Sequence, residues 1–292
     1  MQITSAQSLS RLLSGIQRQL DNQLQGNEQV ASGKRFLRPS DAPSDFQKSI
    51  SLRRALSSLQ TGQQSIETGK ARLQASMGVV GQMQSVLNRA QVVATQMANA
   101  TVSVSERNAA AVEMENLKQA LLNLANTTWQ GDALFAGTAT KTPAFILDVN
   151  GHAVYQGSIQ DRAVDISSTI RLTSNVRGDE AAFSLAFSAL ENLQTALQNN
   201  NVIAIQAGID ETTQAASSMA DMNAKLGAMH NVFEIHLSVS QNSELMLQQR
   251  LDNHEQANLP EVITRLEQSS VTLQALYSQI SRFQKLSLVN FL

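Results

Sequence analysis

Residues 259–292 read LPEVITRLEQSSVTLQALYSQISRFQKLSLVNFL. Within them Leu259, Val262, Leu266, Ser269, Leu273, Leu276, Ile280, Phe283 and Ser287 step alternately by three and four, which lays one seven-residue seam along a helix. Pro260 stands where such a helix begins, since its missing N–H costs nothing in the first turn. The other end of the chain carries a second stripe, Leu9, Leu13, Ile16, Leu20 and Leu24, that stops near Gly33. Both ends therefore predict helices built to pack on other helices.

Between the N-terminal stripe and the next one lies SGKRFLRPSDAPS, residues 32–44, where Gly33, Pro39 and Pro43 stop any helix and Ser40 or Asp41 is placed to cap the following one. A long helical pattern then runs through Leu52, Leu56, Leu59, Ile66, Leu73, Met77 and Val80, and on through Met83, Leu87, Ala90, Ala94 and Met97. Gly62, Gly69, Gly78 and Gly81 interrupt it, each costing up to about 1 kcal/mol against Ala in a helix. A third helix presents Ala110, Met114, Leu117, Leu121 and Leu124 on one face.

The period then changes. FILDV, Asn150-Gly151 and HAVYQG read as a hairpin with a type I′ turn at Asn-Gly, and Arg162–Ile166 and Thr169–Leu172 read as two further strands. Helical spacing returns near Asp179 with Phe183, Phe187, Leu190 and Leu197. A last long helix carries Ile209, Ala216, Met219, Leu226, Phe233, Leu237, Leu247 and Leu251. The expected fold is mainly α, an elongated antiparallel bundle or coiled coil of long helices with a small β-rich insert. Its expected divisions are nested: terminal helices 1–40 and 257–292, a long-helix bundle of 41–138 and 179–256, and the insert 139–178.

Composition narrows the function. The chain has 292 residues, 22 Lys and Arg against 24 Asp and Glu, and a pI near 6.1, so the basic excess of a nucleic-acid binder is missing. There is no Cys, which excludes disulfide scaffolds, zinc fingers and thiol catalysis. The start, MQITSAQSLSRLLSGIQ, lacks a basic leader followed by an apolar run, and no stretch of about 18 apolar residues is present to insert in a membrane.

Candidate chemistry is sparse. GDALFAGTATKT, residues 131–142, has Thr138 where a phosphate loop needs Lys, and reads instead as a helix-to-strand corner with Leu134 and Phe135 inside. His230 and Glu234 share a helical face, but His236 does not, so no metal-ligating pair of imidazoles forms. His152 and His254 have no evident partner in the sequence. Asp179 and Glu180 read as a helix cap and dipole complement. Lys34, Arg35, Arg38, Arg53 and Arg54, with Asp41 and Asp45 among them, read as a corner of local ion pairs. No catalytic, metal or cofactor residue is assigned.

Three stretches carry a resemblance: the loop with Gly33, Lys34, Arg35, Pro39, Ser40, Asp41 and Pro43; Leu134-Phe135-Ala136-Gly137-Thr138; and the closing SRFQKLSLVNFL, residues 281–292. Together they resemble the flagellin family of bacterial axial proteins, and within it the members that stand between hook and filament. The resemblance implies a structural, non-enzymatic role without a cofactor: a ring of identical subunits between hook-associated protein 1 and the first flagellin layer. It also implies export through the flagellar type III apparatus to the cell exterior, with a cytoplasmic chaperone on the C-terminal region. The inner coil would then use Leu9, Leu13, Ile16, Leu20 and Leu24 with Leu266, Leu273, Leu276, Ile280 and Phe283. A flagellin-like filament subunit, a helical type III secreted effector and a signalling coiled coil remain the alternatives. Single narrow stripes bury little alone, so the terminal helices are expected to be marginal until neighbours cover them.

Overall fold

A computed structural model describes residues 2–167 and 169–289, with side-chain surroundings for residues 7–282 apart from Ser168. The described residues form six helices and three two-stranded antiparallel pairs. In chain order these are α1 (Gln2–Ser32), α2 (Pro43–Met97), α3 (Val104–Ala125), β1 (Thr128–Trp129), β2 (Asp132–Ala133), β3 (Phe145–Leu147), β4 (Ala153–Tyr155), β5 (Ala163–Asp165), β6 (Arg171–Thr173), α4 (Ala181–Gln198), α5 (Val202–Glu255) and α6 (Leu259–Val289). The fold is mainly α with small β elements, as the periodicity predicts. None of the described helices is long and apolar enough to cross a membrane.

The chain divides into two compact units. One holds residues 1–57 and 244–292, the other residues 58–243. The second unit owns the large apolar core. Ile66, Leu73, Met83 and Leu87 of α2 meet Met114 and Leu121 of α3, Phe183 and Leu190 of α4, and Met219, Leu226 and Phe233 of α5, all essentially buried. The stripes of α2, α3, α4 and α5 all supply members of this cluster, because each buries one face against the others.

α2 continues through its four glycines. At Gly69 the reason is space: a Cβ there would stand 2.4 Å from the Phe233 ring, so the missing side chain lets the phenyl group into the groove of the helix. The entry to α3 is fixed by a capping box, in which Ser103 accepts from the Glu106 amide and the Glu106 carboxylate accepts from the Ser103 amide.

The β elements differ from the sequence reading in one instructive way. The hairpin β3–β4 forms, with Phe145 opposite Tyr155 and Leu147 opposite Ala153, but Asn150-Gly151 is not a type I′ turn. Only Gly151 has positive φ, at 81°, and the Gly151 amide bonds back to the Asp148 carbonyl. The Asp148 carboxylate takes the amides of Asn150 and His152, both at 2.8 Å, which favours a three-residue loop with glycine last. The two-residue turn with positive φ at both centres sits elsewhere, at Gln130 (52°) and Gly131 (80°), joining β1 to β2. That pair of strands has only two residues each, too short to leave an alternation pattern. The third pair, β5–β6, falls where the sequence places it.

The corner after β2 is held from inside. Leu134, Phe135 and Ala136 are buried, and Arg72 of α2, itself 2% exposed, donates to the carbonyls of Ala133 (2.6 Å) and Leu134 (3.3 Å). Burial pushes the Arg72 pKa down to about 10. Those carbonyls point at a guanidinium and Lys141 is paired with Asp132, so the stretch 131–142 is a packed corner. At the start of α4, Glu180 makes no side-chain cap. It pairs with Lys225 of α5 at 2.8 Å while Asp179 accepts from Arg177 two residues before it, so these acids serve ion pairs instead of the expected cap.

Candidate assembly surface and corner motif

The unit of residues 1–57 and 244–292 contains all the candidate residues. Here α1 and α6 pack against each other along their length. From α6 the seam turned to α1 is the expected one: Val262, Ser269 and Leu273 are buried, with Leu266, Leu276 and Ile280 half-buried. The side chain of Phe283 lies outside the described residues.

α1 answers with a different face. Of its stripe only Ile16 is buried, whereas Leu9, Leu13, Leu20 and Leu24 are 41%, 50%, 42% and 64% exposed. What meets α6 is a row of small and amide residues about a quarter-turn away. A Cβ on Gly26 would lie 2.6 Å from Leu266, so that leucine fills the gap Gly26 leaves, while at Gly15 a Cβ would make only ordinary contact with Leu276, at 3.8 Å. Between them Ser269 donates to the carbonyl and side-chain oxygen of Gln19 (3.2 and 2.9 Å), and Arg265 donates to Gln29 at 2.5 Å. Apart from Ile16, the α1 stripe therefore stays largely uncovered within one chain. Gaps and hydrogen bonds favour the polar face of α1 in the pair, and the leucine ridge is left beside it.

The loop motif builds a corner with the α5–α6 turn. Gly33 adopts φ 68° just past α1, and its amide bonds to the Gln29 carbonyl. The chain then runs antiparallel to residues 255–257. The Arg35 amide donates to the Glu255 carbonyl (2.6 Å), the Ala257 amide donates to the Gly33 carbonyl (2.9 Å), and Lys34 opposes Gln256. Gln29 donates its side-chain amide to the Arg35 carbonyl at 2.6 Å, tying the end of α1 to the same bridge.

One carboxylate gathers the charges. Glu255 accepts from Ser49, from Lys34 Nζ at 2.9 Å and from Arg53 Nη2 at 2.7 Å. Burial alone would raise its pKa, but the Ser49 hydroxyl and the two cations more than offset that, so the group titrates below its ordinary value. Nearby, Arg35 pairs with Asp45 at 2.5 Å and Arg38 with Glu28 at 2.8 Å. Lys34, Arg35, Arg38 and Arg53 all find acids inside the corner.

Asp41 does not cap α2. Its Oδ2 faces back along the chain and accepts from the amides of Arg38 (2.9 Å) and Leu37 (3.1 Å), which lowers its pKa, while Ser40 approaches its other oxygen. Pro39 lies inside the turn so held, and Pro43 opens α2, where its lack of an N–H is harmless. Phe36, buried at 4%, stacks edge-on with Phe46 and His254, and His254 Nε2 lies 2.9 Å from the Asp45 carbonyl. Glu255, Ser49, Phe36 and His254 escape sequence reasoning, because their partners lie up to about 200 residues away and no local spacing marks them.

The neutral variant Glu255→Gln keeps the backbone bridge and removes the charge from two cations that are themselves about half exposed, so the loss should be about 1–2 kcal/mol. We expect faster hydrogen exchange at the Arg35 amide, roughly tenfold. In the unaltered chain the contribution is present above the unfolded carboxylate value and is lost as pH falls through the lower folded one, so the same amide should loosen in acid.

Elsewhere, Glu234 pairs with Lys70 at 3.3 Å. Among the described residues no group of three or more His, Cys, Asp or Glu is placed to hold a metal.

The sequence and fold have counterparts among known proteins. Residues 3–140 match the bacterial flagellin N-terminal helical region. That match covers a little under half of the chain. The chain is 26% identical over 288 residues to flagellar hook-associated protein 3 of Escherichia coli (strain K12), covering 89% of this chain and 90% of that one. It is 24% identical over 315 residues to the protein of the same name from Salmonella typhimurium, covering 99% and 98%. Among solved structures it shares the fold of a putative flagellar hook-associated protein from Vibrio parahaemolyticus, with a TM-score of 0.67, 18% identity, and coverage of 74% of this chain and all of that one.

Proposed function

We infer that this chain is a structural subunit of the bacterial flagellum that forms the junction between hook and flagellin filament. The end-to-end similarity to two hook-associated protein 3 sequences supports the place, and the exposed ridge Leu9, Leu13, Leu20 and Leu24 supports the manner. A helix does not keep four leucines in water at heptad spacing without cost; a neighbouring helix laid over the ridge buries them. The α1–α6 pair then becomes the unit of a polymer, with the ridge of one copy covered by the next.

In this reading the terminal helices 1–40 and 257–292 form the inner layer, residues 41–138 and 179–256 the surrounding bundle, and the insert 139–178 faces solvent. Identical subunits close a ring, with hook-associated protein 1 on one side and flagellin on the other. Export by the type III apparatus, with a chaperone on the C-terminal region, brings the chain to the cell exterior. Its work is mechanical and needs no cofactor.

Electron microscopy of purified hooks carrying hook-associated protein 1, incubated first with this chain and then with flagellin, tests the reading. The expected result is a thin collar at the hook end and filament growth only from collared ends. Growth of flagellin on bare hooks, or the chain scattered along the filament, would overturn it.

A further inference from the structure

We propose that His152 and Glu191 form a proton-dependent clamp that fixes the tip of the β3–β4 hairpin to α4. The proposal is independent of the junction role. It begins with how unevenly the hairpin is held.

At its root Phe145 is 4% exposed, and its ring lies 5.4 Å from that of Phe183 and 5.2 Å from that of Phe187, both on α4. Apolar packing holds this end at any pH. Towards the tip the packing fades: Leu147 is 42% exposed and Val149 wholly so. There a polar contact reaches the helix, as His152 Nδ1 lies 2.6 Å from Glu191 Oε2.

The groups around that contact make it sensitive to one proton. Glu191 Oε1 is buried and has no hydrogen-bond partner, so the carboxylate leans on His152 for compensation. From the hairpin loop Asp148 adds a second negative charge while its Oδ1 accepts the His152 amide. From α3 Lys118, paired with Glu115 at 3.0 Å, opposes protonation. The hydrogen bond to Glu191 is the largest influence, followed by the Glu191 charge, and the imidazole titrates above its ordinary 6.5.

The sign follows from linkage. A histidine whose folded pKa is raised stabilises the docked form fully below the unfolded value, and that contribution is lost as pH rises through the folded value. Neutral His152 can still share a hydrogen bond but no longer offsets the half-buried carboxylate, so the tip loosens while the Phe145 root stays seated.

Full-length chain, with imidazole resonances followed from about pH 5.5 to about pH 9, tests this. The signal absent from His152→Gln should titrate above 6.5. Across that titration, exchange at the Asn150 and His152 amides, corrected for intrinsic rate, should speed roughly twofold to fivefold. Amides of β5–β6 should not follow. Glu191→Gln should lower the His152 midpoint, and His152→Gln should make tip exchange independent of pH. A midpoint at or below 6.5, or tip exchange that keeps its pH dependence in His152→Gln, would overturn the clamp.

Discussion

With Leu13 and Leu24 both replaced by Asp, the isolated chain should keep its helix content, while its addition to hook ends falls at least about a hundredfold. The two positions are 50% and 64% exposed in the single chain, so the carboxylates meet water there and cost little. In an assembled ridge each would be buried without a partner, at about 2 kcal/mol or more apiece. Gln25→Asp, an exposed site on the far face of α1, adds the same kind of charge away from the ridge and should assemble normally. The sedimentable fraction and collar formation by microscopy are the measurements. Normal collars from the doubly substituted chain would show that the ridge is not an interface. Leu273→Asp asks a different question: that side chain is 6% exposed against α1, so the substitution should unpair α1 from α6 before any assembly begins.

The second large effect concerns Gly137, at the end of the buried Leu-Phe-Ala stretch. It adopts φ 62°, and a Cβ would stand 2.2 Å from the Ser158 carbonyl oxygen and 2.8 Å from that of Gln160. Backbone cannot swing aside as a side-chain tip does, and the Ser158 amide is already bonded to the Ala136 carbonyl at 2.9 Å. Gly137→Ala should therefore lower the stability of the 58–243 unit by about 4 kcal/mol, combining left-handed backbone strain with overpacking. Gly78→Ala makes the opposite case. Gly78 lies inside α2 with nothing within 4 Å of a Cβ, so the same added methyl group should stabilise by up to about 1 kcal/mol. Urea melts of the two variants, followed by circular dichroism, should move in opposite directions; a neutral Gly137→Ala would refute the steric reading.

What the sequence makes legible is what acts over one or two helical turns. The stripes of α2, α4 and α5 identify core residues such as Leu73, Phe183 and Leu226 correctly, because burying an apolar face is a local requirement repeated every few residues. The partner of a stripe is another matter. Apolar content alone turns the leucines of α1 towards α6, but Leu266 needs room, and Gly26 provides it. Turn chemistry misleads for a related reason. Asn150-Gly151 has the composition of a tight turn, yet the Asp148 side chain captures two amides and changes the loop, while the unremarkable Gln130-Gly131 takes the mirror-image turn. The loop motif stands out in the sequence because prolines and charges are conspicuous, whereas the carboxylate that organises it does not. Glu255 is one acid among 24 Asp and Glu, and nothing near it announces Ser49 or Arg53.

The bridge between residues 33–35 and 255–257 also sets an order of events. Its two strands are separated by more than two-thirds of the polypeptide, and Lys34, Ser49 and Arg53 wait for an acid that is synthesised, or threaded, long after them. A chain that emerges N-terminus first has no way to close this corner until residue 257 is free, and loop closure over such a span is slow compared with local helix growth. Until then α1 has neither its anchor at Gly33 nor its companion α6. Closure of the corner thus reports that the chain has arrived as far as the start of α6, and a subunit cut short before Glu255 would lack the clasp that pairs its ends.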